Sequence, residues 1–559
     1  MDNNAIANQF SLLSKLMDIH GENSFKSKSY AAAAFNIDKL PTQLKELPKE
    51  KIASLKGVGD SSAKKIIELL ETGELKVLMD IIQQTPAGII DMLSIKGIGP
   101  KKINTIWKEL EIETIGELLY ACEENRLLLY KGFGEKTQNN IRDSIEFYLQ
   151  NQGSFLYAQV ESFAKTLTDK LHTLYPKNKT ELTGAFRRQI EIIEELAICT
   201  TISANQLKLF FDENSYQIIT ETESQLNFIG PEKIKLNFYL TNTDLFFKKL
   251  FETSCSESFL TAWKNKFPWN ENSAFQTEEH IFENAGIHII PSYLREDEKM
   301  IQLSADDSLP NVIRKEDIKA IIHSHSNWSD GSNTIEEMAN HAIHSGLEYL
   351  VISDHSKSAF YANGLSEERI LQQHKYVDEL NDKLKPFKIF KSIESDILHD
   401  GSLDYPDHIL STFDLVIASV HSNLKMPEEK AMMRLQNAIA NPFTTILGHM
   451  TGRLLLSRNG YPIDHKKIID LCAEKKVVIE LNAHPRRLDM DWRHIAYALE
   501  KNVIISIDPD AHALSGFEDV KYGVLVAQKA GLTKNQNLSS FSLEEFEAYL
   551  LNIKSIKNI

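Results

Sequence analysis

Residues 320–331 read AIIHSHSNWSDG: a short apolar run that stops at two alternating histidines, followed by a polar turn carrying an aspartate. The same punctuation recurs downstream at YLVIS (349–353), KIFKSIE (388–394), LVIASVH (415–421), TILGH (445–449), VVIELNA (477–483) and VIISID (503–508). Each run has the length and residue types of a buried strand, and amphipathic helical pattern lies between most of them. Strand alternating with helix predicts a parallel sheet, open or closed into a barrel.

The runs end in groups that hold metals. The first reaches His323, His325 and, in its turn, Asp330; the second reaches Asp354 and His355, the third Glu394, the fourth His421, the fifth His449. The sixth carries Asn482 and His484, and the seventh leads to Asp510 and His512. In parallel α/β barrels the loops at the C-terminal strand ends converge, so ligands far apart in sequence meet at one place. Fourteen of the 18 histidines fall between His323 and His512. Any one of them could be an ordinary core or surface residue. Seven runs ending in or near His, Asp or Glu do not fit that reading, whereas His341, His344, His374 and His465 lie in helical pattern and do; His399 and His408 fit either. Imidazole mixed with carboxylate suits zinc, manganese or iron, and the absence of cysteine among these groups speaks against a structural zinc site. There are too many ligands for one ion, so two or three are expected, an arrangement suited to hydrolysing phosphate esters.

The motifs HSHSNWSDG, ISDHS, IESDIL, ASVH, LGHMTGRLLL and DPDAH resemble the PHP (polymerase and histidinol phosphatase) domain. The resemblance implies a distorted (β/α)7 barrel with metal ligands His323, His325, Asp330, His355, Glu394, His421, His449, Asp510 and His512, of which Glu394, Asp510 and His323 are also assigned catalytic roles. It departs from the family at His484, where asparagine or a small polar residue is usual. Arg453 is a candidate phosphate contact, with a structural ion pair as the alternative.

Toward the N-terminus, a polar segment near SADDSLPNVI reads as a linker, and residues 151–250 turn from helical pattern to strand-like runs. Residues 1–150 read as short helices with one element three times: LKGVG (55–59), IKGIG (95–99) and YKGFG (130–134). Two glycines permit a tight turn and close approach of the backbone to a ligand. Backbone N–H groups and the next helix N-terminus then face a phosphate, with lysines adding charge. A single copy is an ordinary interhelical turn; three copies favour helix-hairpin-helix binding of DNA without reading its sequence. The residues singled out are Lys56, Gly57, Gly59, Lys65, Lys96, Gly97, Gly99, Lys131, Gly132 and Gly134.

The net charge of −16 seems to exclude a nucleic-acid binder, yet residues 1–150 carry 19 Lys and Arg against 21 Asp and Glu, so the acidity lies in the rest. A domain crowded with metal-binding carboxylates lowers the formal sum because its cations are not counted. No apolar stretch has the length of a membrane span, and the N-terminus lacks the basic and apolar regions of a secretory signal. Four scattered cysteines form no CxxC pair. These features predict a cytoplasmic protein, expected to be monomeric.

GENSFKSKSYAAAA (21–34), the repeats, GAFRR (184–188), PSYLRED (291–297) and the C-terminal PHP motifs resemble bacterial family X DNA polymerase (PolX) in this order, along nearly the whole chain. The resemblance implies gap-filling repair of DNA and a 3′–5′ exonuclease in the PHP domain, with abasic-site cleavage or a lysine lyase in some members. Lys65 matches the lyase position, but Asp60 and Ser61 stand where a basic residue is frequent, which favours a plain phosphate-contacting lysine. Family X palms hold two Mg²⁺ ions on three aspartates. Here those positions carry Glu195, Ala197 and Lys235, and the thumb motif Tyr-Phe-Thr-Gly is Phe251-Glu-Thr-Ser254, so the polymerase site is expected to be degenerate.

The expected fold is a multidomain α/β protein. It comprises an N-terminal helical lyase-like domain with helix-hairpin-helix (1–85), a fingers-like helix-hairpin-helix domain (86–150), an α+β palm (151–250), a thumb (251–312) and the PHP barrel (315–559). A competent gap-filling polymerase with exonuclease, a non-enzymatic DNA-end scaffold and a histidinol-phosphate-type phosphatase are the rival readings. The last leaves the three glycine elements without a purpose.

Overall fold

A computed structural model describes the chain except residues 2, 39, 41, 56, 96, 150–152, 212–214, 232 and 271–272, and the side chains of Asn4 and Phe147. It divides into two compact units, Met1–Tyr148 and Leu149–Ile559.

The first unit is helical. α1 (Asn3–Ile19) packs on α2 (Ser24–Asp38), burying Phe10 edge-on against Tyr30 at 5.8 Å. Each glycine element makes a turn before a helix: Gly57, Gly97 and Gly132 have φ of +78°, +91° and +97°, a left-handed backbone that other residues adopt only with strain. Gly59 and Gly99 then stand extended at the N-termini of α3 (Asp60–Thr72) and α4 (Pro100–Lys108), and Gly134 precedes α5 (Glu135–Leu149). A Cβ placed on Gly59, Gly99 or Gly134 would meet nothing within 4 Å. Internal packing therefore does not demand glycine at these three places.

The second unit begins with a five-stranded palm sheet: β1 (Thr180–Thr183), β2 (Glu195–Thr200), β3 (Gln217–Glu221), β4 (Gln225–Ile229) and β5 (Lys235–Leu240), in spatial order β1-β2-β5-β4-β3. β2 and β5 run parallel, and the other pairs are antiparallel. Their inward residues, among them Leu196, Ile198, Phe228, Leu236 and Phe238, bury against the helix Tyr157–Leu174. A smaller helical layer gathers on Phe251, Trp263 and Phe282.

Glu278 ties that layer to the palm, accepting two hydrogen bonds from Arg187 (3.0 and 2.7 Å) and one from Arg295 (2.7 Å). Burial would raise its pKa, but the two guanidiniums hold it down to about 2. Glu278→Gln should lower thermal stability of this unit by about 3 kcal/mol, because two largely desolvated guanidiniums lose their counter-charge. The contribution is complete above the unfolded carboxylate value of about 4.3 and is lost as pH falls from there toward 2. The gap between the unfolding curves of the two forms should narrow from pH 7 to pH 3 and close only as pH approaches 2.

The rest is the expected barrel. Its parallel strands are β6 (Ala320–Ile321), β7 (Tyr349–Ile352), β8 (Lys388–Lys391) with its continuation β9 (Glu394–Asp396), β10 (Ile417–Ser419), β11 (Ile446–Leu447), β12 (Val478–Asn482) and β13 (Ile505–Asp508). The path 388–396 pairs with β7 through β8 and with β10 through β9, so seven strand paths follow in order. Parallel pairing of Ser324 with Ala511, with His325 N–H donating to the Ala511 carbonyl at 2.9 Å, brings the first path against the last. Alternate residues divide as a pleated strand requires. Ala320, Ile322, Tyr349, Val351 and Phe390 share one core with Phe546 and Leu550 of the C-terminal helix Leu543–Lys557, whereas Ile321, Leu350, Ile352 and Ile389 pack in a second with the helix Ile335–His344. The Tyr349 ring stacks on Phe546 at 4.6 Å.

Candidate metal centre

The strand ends bring the nine singled-out groups together. Glu394 is the hub: its carboxylate lies 2.9 Å from His355 Nδ1, 3.0 Å from both His421 Nε2 and His449 Nε2, 3.3 Å from His323 Nε2 and 3.7 Å from His325 Nε2. Asp510 lies 3.0 Å from His325 Nε2 and 3.3 Å from His323 Nε2, and Asp330 lies 3.5 Å from His512 and 3.6 Å from His355. All are buried except the half-buried His421. Backbone geometry adds precision: His323 and Asp510 sit at φ +58° and +54°, strained positions that the surrounding barrel holds in place.

Carboxylates outside the nine orient the imidazoles. His323 Nδ1 is 2.5 Å from Glu480 Oε1, and His421 Nδ1 bonds Asp396, so both rings turn Nε2 inward. The His512 Nδ1 likewise bonds the Asp510 carbonyl at 2.9 Å. A histidine fixed through one nitrogen by an oxygen acceptor, with the other aimed at a shared centre, is the arrangement of a metal ligand. Glu480 also accepts from the His449 backbone N–H at 2.5 Å, and a Cβ on Gly448 would meet Ser419 Oγ at 2.3 Å and crowd Glu480 Oε2 at 3.4 Å. Asp354 accepts from Ser326 N–H and Oγ, Ser329 Oγ and Gln373, pinning the turn that carries Asp330. The sequence reading placed Asp354 at a strand end and missed Glu480 and Asp396; a glutamate inside the apolar run VVIELNA was the available signal.

Protonation follows from this crowding. Burial would lower the His323 pKa, but Asp510, Glu480 and Glu394 around it hold it well above the usual value. His421 is raised to about 10 against its own burial by Glu394 and Asp396. Burial, with His512 and His355 beside it, pushes His325 down to about 3, which keeps it the neutral imidazole a metal requires. Burial would raise Asp330 and Glu394, yet the surrounding histidines hold both carboxylates below their usual range.

Cations fit here. Buried His323 Nε2, His325 Nδ1, both His355 nitrogens, both Asp330 oxygens and Glu394 Oε2 make no hydrogen bond. That many polar atoms left without one would cost far more than a fold tolerates, unless something else binds them. Among the described residues of the barrel, three groups have ligand atoms within 4.8 Å of one another: His325, Asp330, His355 and His512; His323, His325 and Asp510; His355, Glu394 and His421. His449 reaches Glu394 but falls in none of the three.

Other singled-out residues take different places. His484 Nδ1 accepts from the Arg486 N–H at 3.2 Å, building its own loop. Arg453 bonds Asp491, the Arg487 carbonyl (3.0 Å) and the Leu488 carbonyl, the geometry of its ion-pair alternative. His341, His344, His374 and His465 lie in helices, and His399 faces Lys430. In the palm, Glu195 pairs with Lys235 at 2.8 Å and accepts from Asn237 at 2.9 Å, while Ala197 is buried. Lys131 is exposed and Lys65 half-buried; Lys56 and Lys96 lie outside the described residues.

Family profiles match a helix-hairpin-helix domain at residues 1–75, a SAM-like helix-hairpin-helix tandem at 89–146 and the PHP domain at 322–484. A probable phosphatase of Thermoanaerobacter sp. (strain X514) is 27% identical over 236 residues, 40% of this chain and 91% of the relative. A probable phosphatase of Clostridium acetobutylicum is 37% identical over 103 residues, 18% of this chain and 40% of the relative. The DNA polymerase/3′-5′ exonuclease PolX of Bacillus subtilis (strain 168) is 31% identical over 555 residues, covering 96% of each chain. Matched along nearly its whole length by that polymerase/exonuclease, and carrying helix-hairpin-helix and PHP domains of its own, this protein belongs to the PolX family.

Proposed function

We propose that the PHP barrel hydrolyses DNA phosphodiesters and releases nucleotides from 3′ ends, and that the palm no longer synthesises DNA. The carrying observation is the set of buried imidazole and carboxylate atoms that make no hydrogen bond at the strand ends. The nine groups His323, His325, Asp330, His355, Glu394, His421, His449, Asp510 and His512 would hold two or three divalent ions, manganese, zinc or iron. When bound, such ions neutralise phosphate oxygens and make water nucleophilic near neutral pH. The chain's part is to orient. Glu480 and Asp396 fix the His323 and His421 rings, Asp354 fixes the turn of Asp330, and the barrel core excludes water from below.

The 3′–5′ exonuclease named for the Bacillus subtilis relative supports a DNA substrate, as do the two helix-hairpin-helix matches. The domain limits 1–85, 86–150, 151–250, 251–312 and 315–559 assign binding to the first two parts and hydrolysis to the last. Abasic-site cleavage is a second activity this site could support. Labelled gapped duplex incubated with the protein, Mn²⁺ and dNTPs tests the reading: shortening supports it, and extension or no change opposes it.

Binding has its own expected result. The unit Met1–Tyr148 should bind gapped DNA without sequence preference through the turns at Gly57, Gly97 and Gly132. Affinity should fall steeply with salt through counterion release, by about tenfold or more between 50 and 200 mM. Joint charge reversal at Lys56, Lys96 and Lys131 should weaken it further. Fluorescence anisotropy reads both effects, and no affinity at low salt would contradict the clamp.

A further inference from the structure

The loop after His355 displays an aromatic ring that the fold does not use. Phe360 is 76% exposed, whereas every other phenylalanine of the barrel is buried or half-buried. A lone exposed apolar side chain usually means nothing. This one stands on a loop built to hold it. The loop ends close on each other, with Leu365 N–H donating to the His355 carbonyl at 2.9 Å, and a Cβ on Gly364 would strike the Ser356 carbonyl at 1.9 Å. Asp404 accepts from Ser358 N–H and Oγ, both at 2.6 Å, and Tyr405 Oη accepts from Lys357 N–H at 2.9 Å. On the other side Asn363, at φ +54°, donates to the Trp328 carbonyl at 3.2 Å, two residues before the ligand Asp330. Order at the base combined with exposure at the tip is the signature of a preorganised contact.

The ring also stands at a telling distance. Phe360 meets Tyr361 edge-on at 6.0 Å, and Tyr361 lies 6.5 Å from the His355 ring. Two ring contacts thus connect it to His355 of the metal centre, near enough for a base stacked on Phe360 to leave its own phosphate close to that centre. Lys357 of the same loop pairs with Glu367 at 3.3 Å and lies 4.9 Å over the Tyr405 ring, which leaves the Phe360 ring as the group the loop offers to a base. Aromatic faces stack on any base, which matches an enzyme that does not read sequence.

We propose that Phe360 stacks on the terminal base of a DNA 3′ end and seats the adjacent phosphodiester at the metal centre. This rests on the nuclease reading above, and the test separates the two. In the full chain with Mn²⁺, Phe360→Ala should raise KM for a 5′-labelled oligonucleotide about tenfold with kcat little changed, and Phe360→Trp should restore it. Hydrolysis of methyl p-nitrophenyl phosphate, a diester without a base, should be the same in all three proteins. Removing the terminal base from the oligonucleotide should cost the wild type the same factor and leave Phe360→Ala unaffected. Binding is read independently of hydrolysis, in the chain with its metal ligands intact and an oligonucleotide whose last linkage is a slowly hydrolysed phosphorothioate. There a 3′-terminal 2-aminopurine should be quenched on binding, and the quench should vanish on adding Phe360→Ala. An unchanged KM, an unchanged quench, or an equal loss on substrates with and without the terminal base would overturn the proposal. Failure of the parent chain to cleave DNA, with the quench and its loss intact, would refute the nuclease reading and leave the stacking site standing.

Discussion

His323→Ala combined with His325→Ala should abolish 3′ shortening of DNA, a loss of about a thousandfold or more, equivalent to ~4 kcal/mol of transition-state stabilisation. Three of the contacts that organise the site go with these rings: His323 to Glu394 and to Asp510, both at 3.3 Å, and His325 to Asp510 at 3.0 Å. The carboxylates left behind are buried and no longer balanced, so their cation affinity and geometry fail together. Binding by the helix-hairpin-helix unit does not depend on these residues, so anisotropy with gapped DNA should be nearly unchanged. Chelation should reproduce the loss in the parent chain, and Mn²⁺ should reverse it there but not in the double variant. Full nuclease activity in the double variant would place the chemistry elsewhere.

The separate positions of these candidate ligands could be read from the chain because a parallel barrel converts a local rule into a long-range one. An apolar run fixes a strand, and its C-terminal end fixes the face, so His323 and His512 could be brought together with no contact information. The carboxylates that orient them could not be read the same way. Glu480 and Asp396 sit within strands, where a charge in an apolar run signals burial but not which partner it meets. Arg453 shows the opposite limit. Its place after His449 suggests a phosphate, yet the Asp491 carboxylate and two carbonyls from the 486–491 loop come from sequence about 35 residues away and engage its guanidinium. The palm lay between: GAFRR pointed to positions 195 and 197 and KIKLNF to position 235, and Lys235 pairing with a remaining glutamate was foreseeable from charge alone. Asn237 as second donor to Glu195 required the register of β2 against β5.

That register leads to the other large effect: a variant without PHP activity should show no templated primer extension. Three aspartates holding two Mg²⁺ ions are what the family X resemblance requires. β2 and β5 present Glu195 opposite Lys235 and Ala197 opposite Asn237. The Lys235 ammonium sits 2.8 Å from the Glu195 carboxylate, and Asn237 donates to the other oxygen at 2.9 Å, so both oxygens are already engaged and a cation occupies the ground. Ala197 offers no oxygen, and its methyl group lies where a Cβ on Gly184 would approach to 2.9 Å, leaving little room for a longer side chain. Arg187 is held by Glu278 and Ser254, and Arg188 by Glu296 and the Cys255 carbonyl, so the arginines of GAFRR serve the packing between palm and thumb. Losing the carboxylates of a two-metal site costs several kcal/mol, about a thousandfold or more in rate. Gapped template with dNTPs and Mg²⁺ or Mn²⁺, incubated with the His323→Ala/His325→Ala protein, keeps degradation from hiding synthesis. Incorporation that follows the template and disappears on Glu195→Ala would show that the palm still works. Incorporation untouched by that substitution would place a synthetic site on other residues, with Glu191 and Glu194 the nearest carboxylates in sequence. The expected primer is unextended in every lane, and Lys235→Asp alone should not rescue it, because Ala197 still supplies nothing.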